Sequence, residues 1–531
     1  MLLCVERNNS DAVQLQGSGP LRATLLSDFL LQKIERNSDA ANSSRKNPLN
    51  LQIYRIIREA ILAHLLEAGI QLPSSRELAR ELRVSRNTIT FAYEQLIAEG
   101  YLEARPGSGT FITDTIPDQI PDSLASPPLK PDLPHKYGLS PRGENLIKRA
   151  GVSDPRWGAF TTGTPDVTQF PNKIWSRLQN KVWYRSRSEL LTYGPRGGHL
   201  PLREAIADYL SVSRSVNCSA KQVLITTGVH QSIDLAVKLL GQSGDQAWVE
   251  DPVYWGTRSV LDSLGIEQVP ITVDAEGMQM NHPHLHKPPR FIFVTPSHQY
   301  PLGAVMSLAR RRMLLEYAAA HHVWILEDDY DSEFRYGSRP LASLQGLDKS
   351  NRVLYTGTFS KTMFPGLRIG FLVVPEPLAD PLAIGLSELY RGGQIFTQAM
   401  LAEFMRKGHF GSHIRRMRVL YAERLGILQE AIQHHFAGKA GVIDGEAGLH
   451  LVLGLPDNCD DQAISSHARI EGIITRPLSS YYANASIARR GLLLGYSCVP
   501  SEQIRPAFDK LAGIIKQHWP KFEKTLSNGP D

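Results

Sequence analysis

Lys361 ends the run Gly357-Thr-Phe-Ser-Lys361, follows the acidic stretch Glu327-Asp-Asp-Tyr330, and precedes Arg368 by seven residues, so complementary groups gather within about forty residues. The amine of Lys361 is the nucleophile that could condense with an aldehyde. Asp328 offers a carboxylate that keeps a pyridine nitrogen protonated, and Tyr330 a hydroxyl for a phenolic oxygen. Thr358, Ser360 and Arg368 suit a phosphate, with the amides of Gly228, Val229 and His230 where Thr226-Thr227-Gly228 turns into a helix. Tyr254, in Glu250-Asp-Pro-Val-Tyr-Trp255, is placed to stack on a ring. Together these are the requirements of a pyridoxal 5'-phosphate site. Taken singly each has a plainer reading. A lysine after a strand is usually a solvated charge, and Asp328-Asp-Tyr-Asp-Ser-Glu333 could be a loop for a hard cation. That loop lacks the central glycine and terminal glutamate spacing of a calcium site, so no metal is expected. The occurrence of all the segments in order favours the cofactor.

Such groups need a scaffold that ends strands near one another. Short apolar runs at 222–226, 246–250, 290–294, 323–327 and 352–356 alternate with helical stretches at 201–209, 231–240 and 308–320. Continuous apolar strands separated by helices imply an α/β fold, a mainly parallel sheet with helices on both faces. Chemistry then belongs at the strand ends, which is where Asp328 and Thr358 fall. Beyond about Leu372 the chain reads as helical, with strands at 449–454 and 491–496 in a smaller C-terminal α/β subdomain.

A second signature lies far upstream. Apolar residues at 53, 56, 57, 60, 61 and 65 predict a helix over 51–66. Pro73 then precedes Ser74 and Ser75, which can cap a short helix over 76–82, and Ser85 caps another running to Ala98. On that second helix Ile89, Tyr93, Leu96 and Ile97 share one face, and Phe91 lies on the other with Asn87 and Glu94. Its first turn carries Arg86, Asn87 and Thr88, suited to a DNA groove. Residues 101–112 predict a hairpin with Gly107 and Gly109 at its tip and Arg105 as an anchor on the DNA backbone. A three-helix packing module whose serines are ordinary caps fits the same pattern. Charge does not decide, because residues 45–115 hold nine Lys or Arg and eight Asp or Glu.

Residues 1–47 read as a polar tail with one short amphipathic helix over 25–34; 48–115 as the helical and hairpin module; 116–149 as a linker; and 150–518 as the cofactor domain. Seven prolines between 116 and 141 favour extended geometry in the linker. The chain of 531 residues has a net charge of +5, compatible with nucleic acid and with many enzymes alike. Its four cysteines, far apart, suggest neither zinc ribbon nor disulfide framework. With no apolar stretch of membrane length and no secretory start, a cytoplasmic protein is expected.

The block from Leu49 to Thr113, with Pro73-Ser-Ser-Arg-Glu-Leu-Ala79, Ser85-Arg-Asn-Thr88, Glu99-Gly-Tyr101 and the Gly-Ser-Gly-Thr-Phe wing, resembles the winged helix-turn-helix of the GntR family of bacterial regulators. The resemblance implies that Ser75, Arg76, Ser85, Arg86, Asn87, Thr88, Arg105, Gly107 and Gly109 form a surface against double-stranded DNA. Residues 150–518 resemble a fold-type I aminotransferase. The runs Val294-Thr-Pro-Ser-His-Gln-Tyr-Pro301, Glu327-Asp-Asp-Tyr-Asp-Ser-Glu-Phe334 and Pro365-Gly-Leu-Arg368 are similar to those of MocR/GabR-type regulators. From this follow the cofactor roles of Lys361, Asp328, Tyr330 and Tyr254, a homodimer in which Tyr193 reaches the partner subunit's phosphate, and Arg490 as the holder of an effector carboxylate. The chain departs from aminotransferases at Tyr300-Pro-Leu-Gly303, where they carry asparagine in place of Tyr300. This favours sensing of an amino-group effector over turnover. An active aminotransferase with an appended module, and a regulator that responds to pyridoxal phosphate itself, stay open as alternatives.

Overall fold

The computed structural model describes residues 26–40, 48–114, 139–148, 158–184, 188–336, 342–438, 440–443 and 447–519. The chain divides into two compact units, Met1–Tyr137 and Gly138–Asp531.

In the first unit α1 (Leu26–Ala40) and α2 (Leu49–Leu62) precede β1 (Gln71–Leu72), α3 (Ser75–Glu81), α4 (Arg86–Ala98), β2 (Leu102–Arg105) and β3 (Gly109–Ile112). Ser74 caps α3 by accepting from the Glu77 amide at 3.2 Å, and Ser85 caps α4 through the Thr88 amide at 3.2 Å. Ile53, Ile57, Leu78, Ile89, Leu96 and Ile112 form the core. β3 lies antiparallel between β1 and β2, closing the wing. The reading of residues 1–47 as a polar tail needs amendment. Its predicted helix extends over Leu26–Ala40, and Leu26 and Leu30 are wholly buried in this same core. Two leucines four apart on one helix face are enough to dock a turn that overall polarity conceals.

The second unit holds an eight-stranded sheet of β4 (Val223–Thr226), β5 (Gln246–Asp251), β6 (Glu267–Asp274), β7 (Gly277–Met278), β8 (Phe291–Val294), β9 (Trp324–Asp329), β10 (Val353–Thr358) and β11 (Gly370–Val373). The spatial order is β4-β11-β10-β9-β8-β5-β6-β7. Strands β10, β9, β8, β5 and β6 run parallel, β11 pairs antiparallel between β10 and β4 so that β4 at that edge runs with the parallel set, and β7 pairs antiparallel with β6 at the other edge. Apolar clusters on both faces bury the sheet, as its uninterrupted Val, Ile, Leu and Phe runs require. Three strands of this sheet, β6, β7 and β11, had no sequence expectation, and β7 is only two residues long. β6 contains Pro270, which weakens a strand signal, and β11 is a four-residue return after the Arg368 turn. A smaller antiparallel sheet joins β12 (His450–Gly454), β13 (Arg476–Pro477) and β14 (Gly491–Gly495) in the order β12-β14-β13. Pro141, placed in the linker by its composition, instead opens a helix over Pro141–Lys148, a position where its missing amide hydrogen costs nothing. Arg142 of this helix donates to the Ser263 carbonyl at 2.8 Å. The prolines from 117 to 134 lie outside the described residues.

If α1 is part of the module's core, Leu30→Ala destabilises that unit by about 2–5 kcal/mol, the cost of truncating a buried leucine. Chemical denaturation of the full chain, followed by amide exchange of α2 and α4, measures this; exchange rates equal to wild type would mean that α1 does not carry the module.

Candidate functional site

On the first unit, α4 presents Arg86, Asn87 and Thr88 at its solvent-facing start, and Phe91 is 41% exposed on the same helix. Arg86 Nε lies 3.4 Å from Ser75 Oγ, tying the starts of α3 and α4 together. Ser85 and Thr88 hydroxyls are 2.8 Å apart, so both are engaged locally as well as exposed. Arg105 packs over the Phe111 ring at 4.6 Å and pairs with Glu103 at 3.0 Å. Gly107 and Gly109 take φ of +77° and +116°, backbone that a residue with a Cβ rarely adopts. Gln71 of β1 donates to the Ser108 carbonyl at 2.6 Å and holds the wing tip. Arg76 is partly exposed near the start of α3. All nine predicted contact residues therefore sit on α3, α4 or the wing of one module.

On the second unit a cavity of about 180 Å³ opens at the ends of β9 and β10. Lys361, Asp328, Tyr330, Tyr254, Thr358 and Val229 line it, six of the residues singled out from sequence. Lys361 Nζ donates to the Gly163 carbonyl at 2.7 Å. Gly163 has φ +66°, and a Cβ there would stand 2.8 Å from Nζ, so the approach depends on glycine. Burial lowers the Lys361 pKa, partly opposed by Asp331 and Asp328.

Asp328 is pushed up to about 8, chiefly by burial and then by the neighbouring charges of Asp329 and Asp331, with Lys361 acting against them. Its Oδ1 is buried without a hydrogen-bond partner, and no cation pairs with it among the described residues. Strand alternation explains the isolation. Glu327 and Asp329 point to the other face, where amides of Leu344 and Gln345 and the Arg214 guanidinium receive them.

Aromatic rings complete the walls. Tyr254 meets Tyr300 edge-on at 5.6 Å and has His230 Nε2 within 3.2 Å of its hydroxyl. The Tyr300 hydroxyl lies 3.1 Å from that of Tyr481. Tyr330 Oη is 2.9 Å from His298 Nδ1, and Asp331 holds the same nitrogen at 3.1 Å. Burial raises the Tyr330 pKa well above its ordinary value and lowers that of His230.

The remaining predicted residues surround this cavity or stand apart from it. Gly228, with φ +136°, precedes the helix Val229–Leu240, whose first amides face the turn. Arg368 is exposed and lines an adjoining recess with Thr226, Thr227 and Gln231. The Ser360 amide donates to Thr358 Oγ1 at 3.2 Å. Tyr193 is 85% exposed and lines neither recess. Arg490 is placed away from this cavity. It lies 3.4 Å from the buried carboxylate of Asp461 and does not line the cavity; Arg476, opposite Leu493 across β13 and β14, does. Counting back from the late strand leads to Arg490 and passes over Arg476, which sits on a two-residue strand with no pattern of its own. Thr162, Gly163, His450 and Tyr481 also line the site and carried no sequence signal.

The residues fit pyridoxal phosphate. A buried carboxyl with no cation of its own lies at one wall, an amine faces the same space, aromatic faces flank it, and a helix N-terminus with Thr358 and Arg368 stands beside it.

Comparison with known proteins agrees. Residues 160–511 match the family "Aminotransferase class I and II", and residues 49–112 match "Bacterial regulatory proteins, gntR family". The chain is 37% identical over 468 residues to the probable rhizopine catabolism regulatory protein MocR of Rhizobium meliloti, covering 87% of this chain and 93% of that protein. It is 30% identical over 481 residues to the pyridoxine biosynthesis transcriptional regulator PdxR of Corynebacterium glutamicum, covering 90% and 98%. Among solved structures, the kynurenine aminotransferase of Pyrococcus horikoshii superposes with a TM-score of 0.64 at 25% identity, over 72% of this chain and 96% of that one. A GntR winged helix-turn-helix and a class I and II aminotransferase unit in one chain, matched along nearly the full length of such regulators, place this protein in the MocR-type family of helix-turn-helix transcription regulators.

Proposed function

We propose that the chain is a pyridoxal-phosphate-dependent transcription regulator that senses a small amine bearing a carboxylate and passes its occupancy to the DNA-binding module. The observation that carries this is the convergence of Lys361, cation-free Asp328 and Tyr330 on one cavity in a chain that also holds a winged helix. When bound, the cofactor supplies an aldehyde for which amines compete. Lys361 provides the resident amine, and its lowered pKa enlarges the neutral, nucleophilic fraction. Asp328 holds the ring nitrogen's proton, Tyr330 binds the phenolic oxygen and Tyr254 covers one ring face. Gly228, Val229, His230, Thr358, Ser360 and Arg368 hold the phosphate. Tyr193, exposed in the single chain, reaches the phosphate site of a second copy in a homodimer, and the paired modules read two half-sites. Arg476 receives the effector's carboxylate. An effector that favours one arrangement of the chain shifts its population, and with it affinity for DNA.

The purified protein is expected to show a visible absorbance band that Lys361→Ala abolishes. A panel of amino acids added to wild type is expected to shift the band for one member and to change binding to the chain's own upstream DNA, without sustained keto-acid formation. Steady keto-acid production without specific DNA binding would make the protein an aminotransferase.

Arg476→Gln weakens the response to that effector by about tenfold or more, the loss of one charged hydrogen bond, whereas Arg490→Gln leaves it within about threefold. Titration of the band decides between them, and the reverse order would restore Arg490. On DNA, Arg86→Ala lowers operator affinity by roughly five- to a hundredfold if it reads a base, and reduces the salt dependence by about one ion if it meets a phosphate.

The acidic interior predicts a pH dependence. Asp328 is raised to about 8 and Glu250, Glu327 and Glu333 each to about 7, chiefly by burial, so the folded chain retains protons that the unfolded chain has released. The cofactor-free protein therefore loses stability as pH rises from about 5 to about 8. Asp328→Asn removes part of this loss, and calorimetry should show a greater gain in Tm over wild type at the upper end of that range than at the lower. Equal gains would sink the assignment.

A further inference from the structure

Glu250 stands near the end of β5, two strands from Asp328, and is 1% exposed. Its two oxygens have opposite surroundings. Oε2 accepts from the Thr295 amide at 3.2 Å, the Thr295 hydroxyl at 2.6 Å and the Gln299 side-chain amide at 3.2 Å. With three donors directed at it, Oε2 has no room for a proton of its own. Oε1 is buried and has no partner, as is Asp328 Oδ1. A cavity of about 10 Å³ is lined by both carboxyls and walled by Ile233, Val253, Phe293 and Leu326. It is close to the volume that one water molecule needs.

We propose that Glu250 is an uncharged acid whose proton resides on Oε1, and that one water in this small cavity relays its hydrogen bond to Asp328 Oδ1. Where the cofactor's ring nitrogen holds Asp328 ionised, a second ionised carboxylate facing this small buried void would repel it with little screening, whereas an acid and a carboxylate complete each other's hydrogen bonding. Burial pushes Glu250 up to about 7, in the same direction. Glu250 is thus a positioning residue. It steadies Asp328 in the ionised form toward the cofactor's ring nitrogen without placing a second negative charge behind it. The part concerning the cofactor rests on the reading given above; the protonation of Glu250 does not.

Glu250→Gln is the informative variant, because its amide oxygen can keep the three donors while its NH₂ takes the place of the acidic O–H. Infrared difference spectra of wild type against Glu250→Gln, on the full chain at mildly acidic pH without cofactor, should show a protonated carboxyl stretch lost in the variant. Loss of only an ionised carboxylate signal overturns the proposal, whatever the cofactor does. Loading with pyridoxal phosphate supplies the second readout. Glu250→Gln should keep the cofactor's affinity within about twofold, and Glu250→Leu should weaken it by about tenfold or more, the scale of one hydrogen bond to a charged group. Equal affinity of the leucine and glutamine variants would remove the relay. A lost infrared band in a wild-type protein that binds no pyridoxal phosphate would uphold the Glu250 proton and overturn the cofactor reading alone.

Discussion

A carboxyl group that its own protein leaves without a counter-cation organises the transferase-like unit. The stretch from Glu327 to Glu333 places five acids within seven residues, and burying them all as ions would cost far more than the unit's net stability. Four have local partners. Glu327 accepts two backbone amides, Asp329 pairs with Arg214 at 2.7 Å and receives the Tyr355 hydroxyl, Asp331 holds His298, and Glu333 receives the Tyr209 hydroxyl. Asp328 and Asp331 both line the cavity, but Asp331 is held by His298, whereas Asp328 is turned by alternation along β9 away from the arginine-bearing face and keeps an oxygen without a partner. A bound pyridinium would relieve this strain, which links cofactor binding to the stability of the central strands.

The aromatic cage bears on whether the unit senses or turns over its ligand. Tyr300 stands in the cavity wall, and its hydroxyl is engaged by Tyr481. Meanwhile His298 meets both Tyr330 and Asp331. His298 Nδ1 thereby links the Tyr330 hydroxyl and the Asp331 carboxylate and fixes the Tyr330 ring at the cavity wall. Binding groups are thus set among bulky rings that narrow the space. Such a site suits selective occupancy more than rapid exchange of substrates and products.

Much of this was legible in the sequence because the groups fall in contiguous runs. Lys361, Asp328, Tyr330 and Thr358 each sit at or just past the end of a β-strand whose apolar pattern announces itself, and Ser74 and Ser85 cap helices by purely local rules. What escaped notice depends on distant segments meeting. Gly163 and Thr162 precede the first sheet strand, and His450 and Arg476 come from separate strands of the small sheet. Arg490 meets the Asp461 carboxylate while Arg476 lines the cavity, and no periodicity over a two-residue strand could single out the latter. Leu26 and Leu30 were hidden for another reason, that a predominantly polar segment can still bury one narrow stripe.

The near-neutral charge of the DNA-binding module has a consequence for signalling. With little net positive charge the module gains little from long-range attraction to DNA, and in the homodimer proposed above its hold would lean on local contacts and on two modules acting together. Bivalent binding depends steeply on the spacing of the two modules, because effective concentration falls when they cannot span both half-sites. In that proposed dimer, a shift in the transferase-like units would alter DNA affinity without changing any single contact of α4. Strong electrostatic binding by each module would have masked such control, which gives the mixed charge of residues 45–115 a functional rationale.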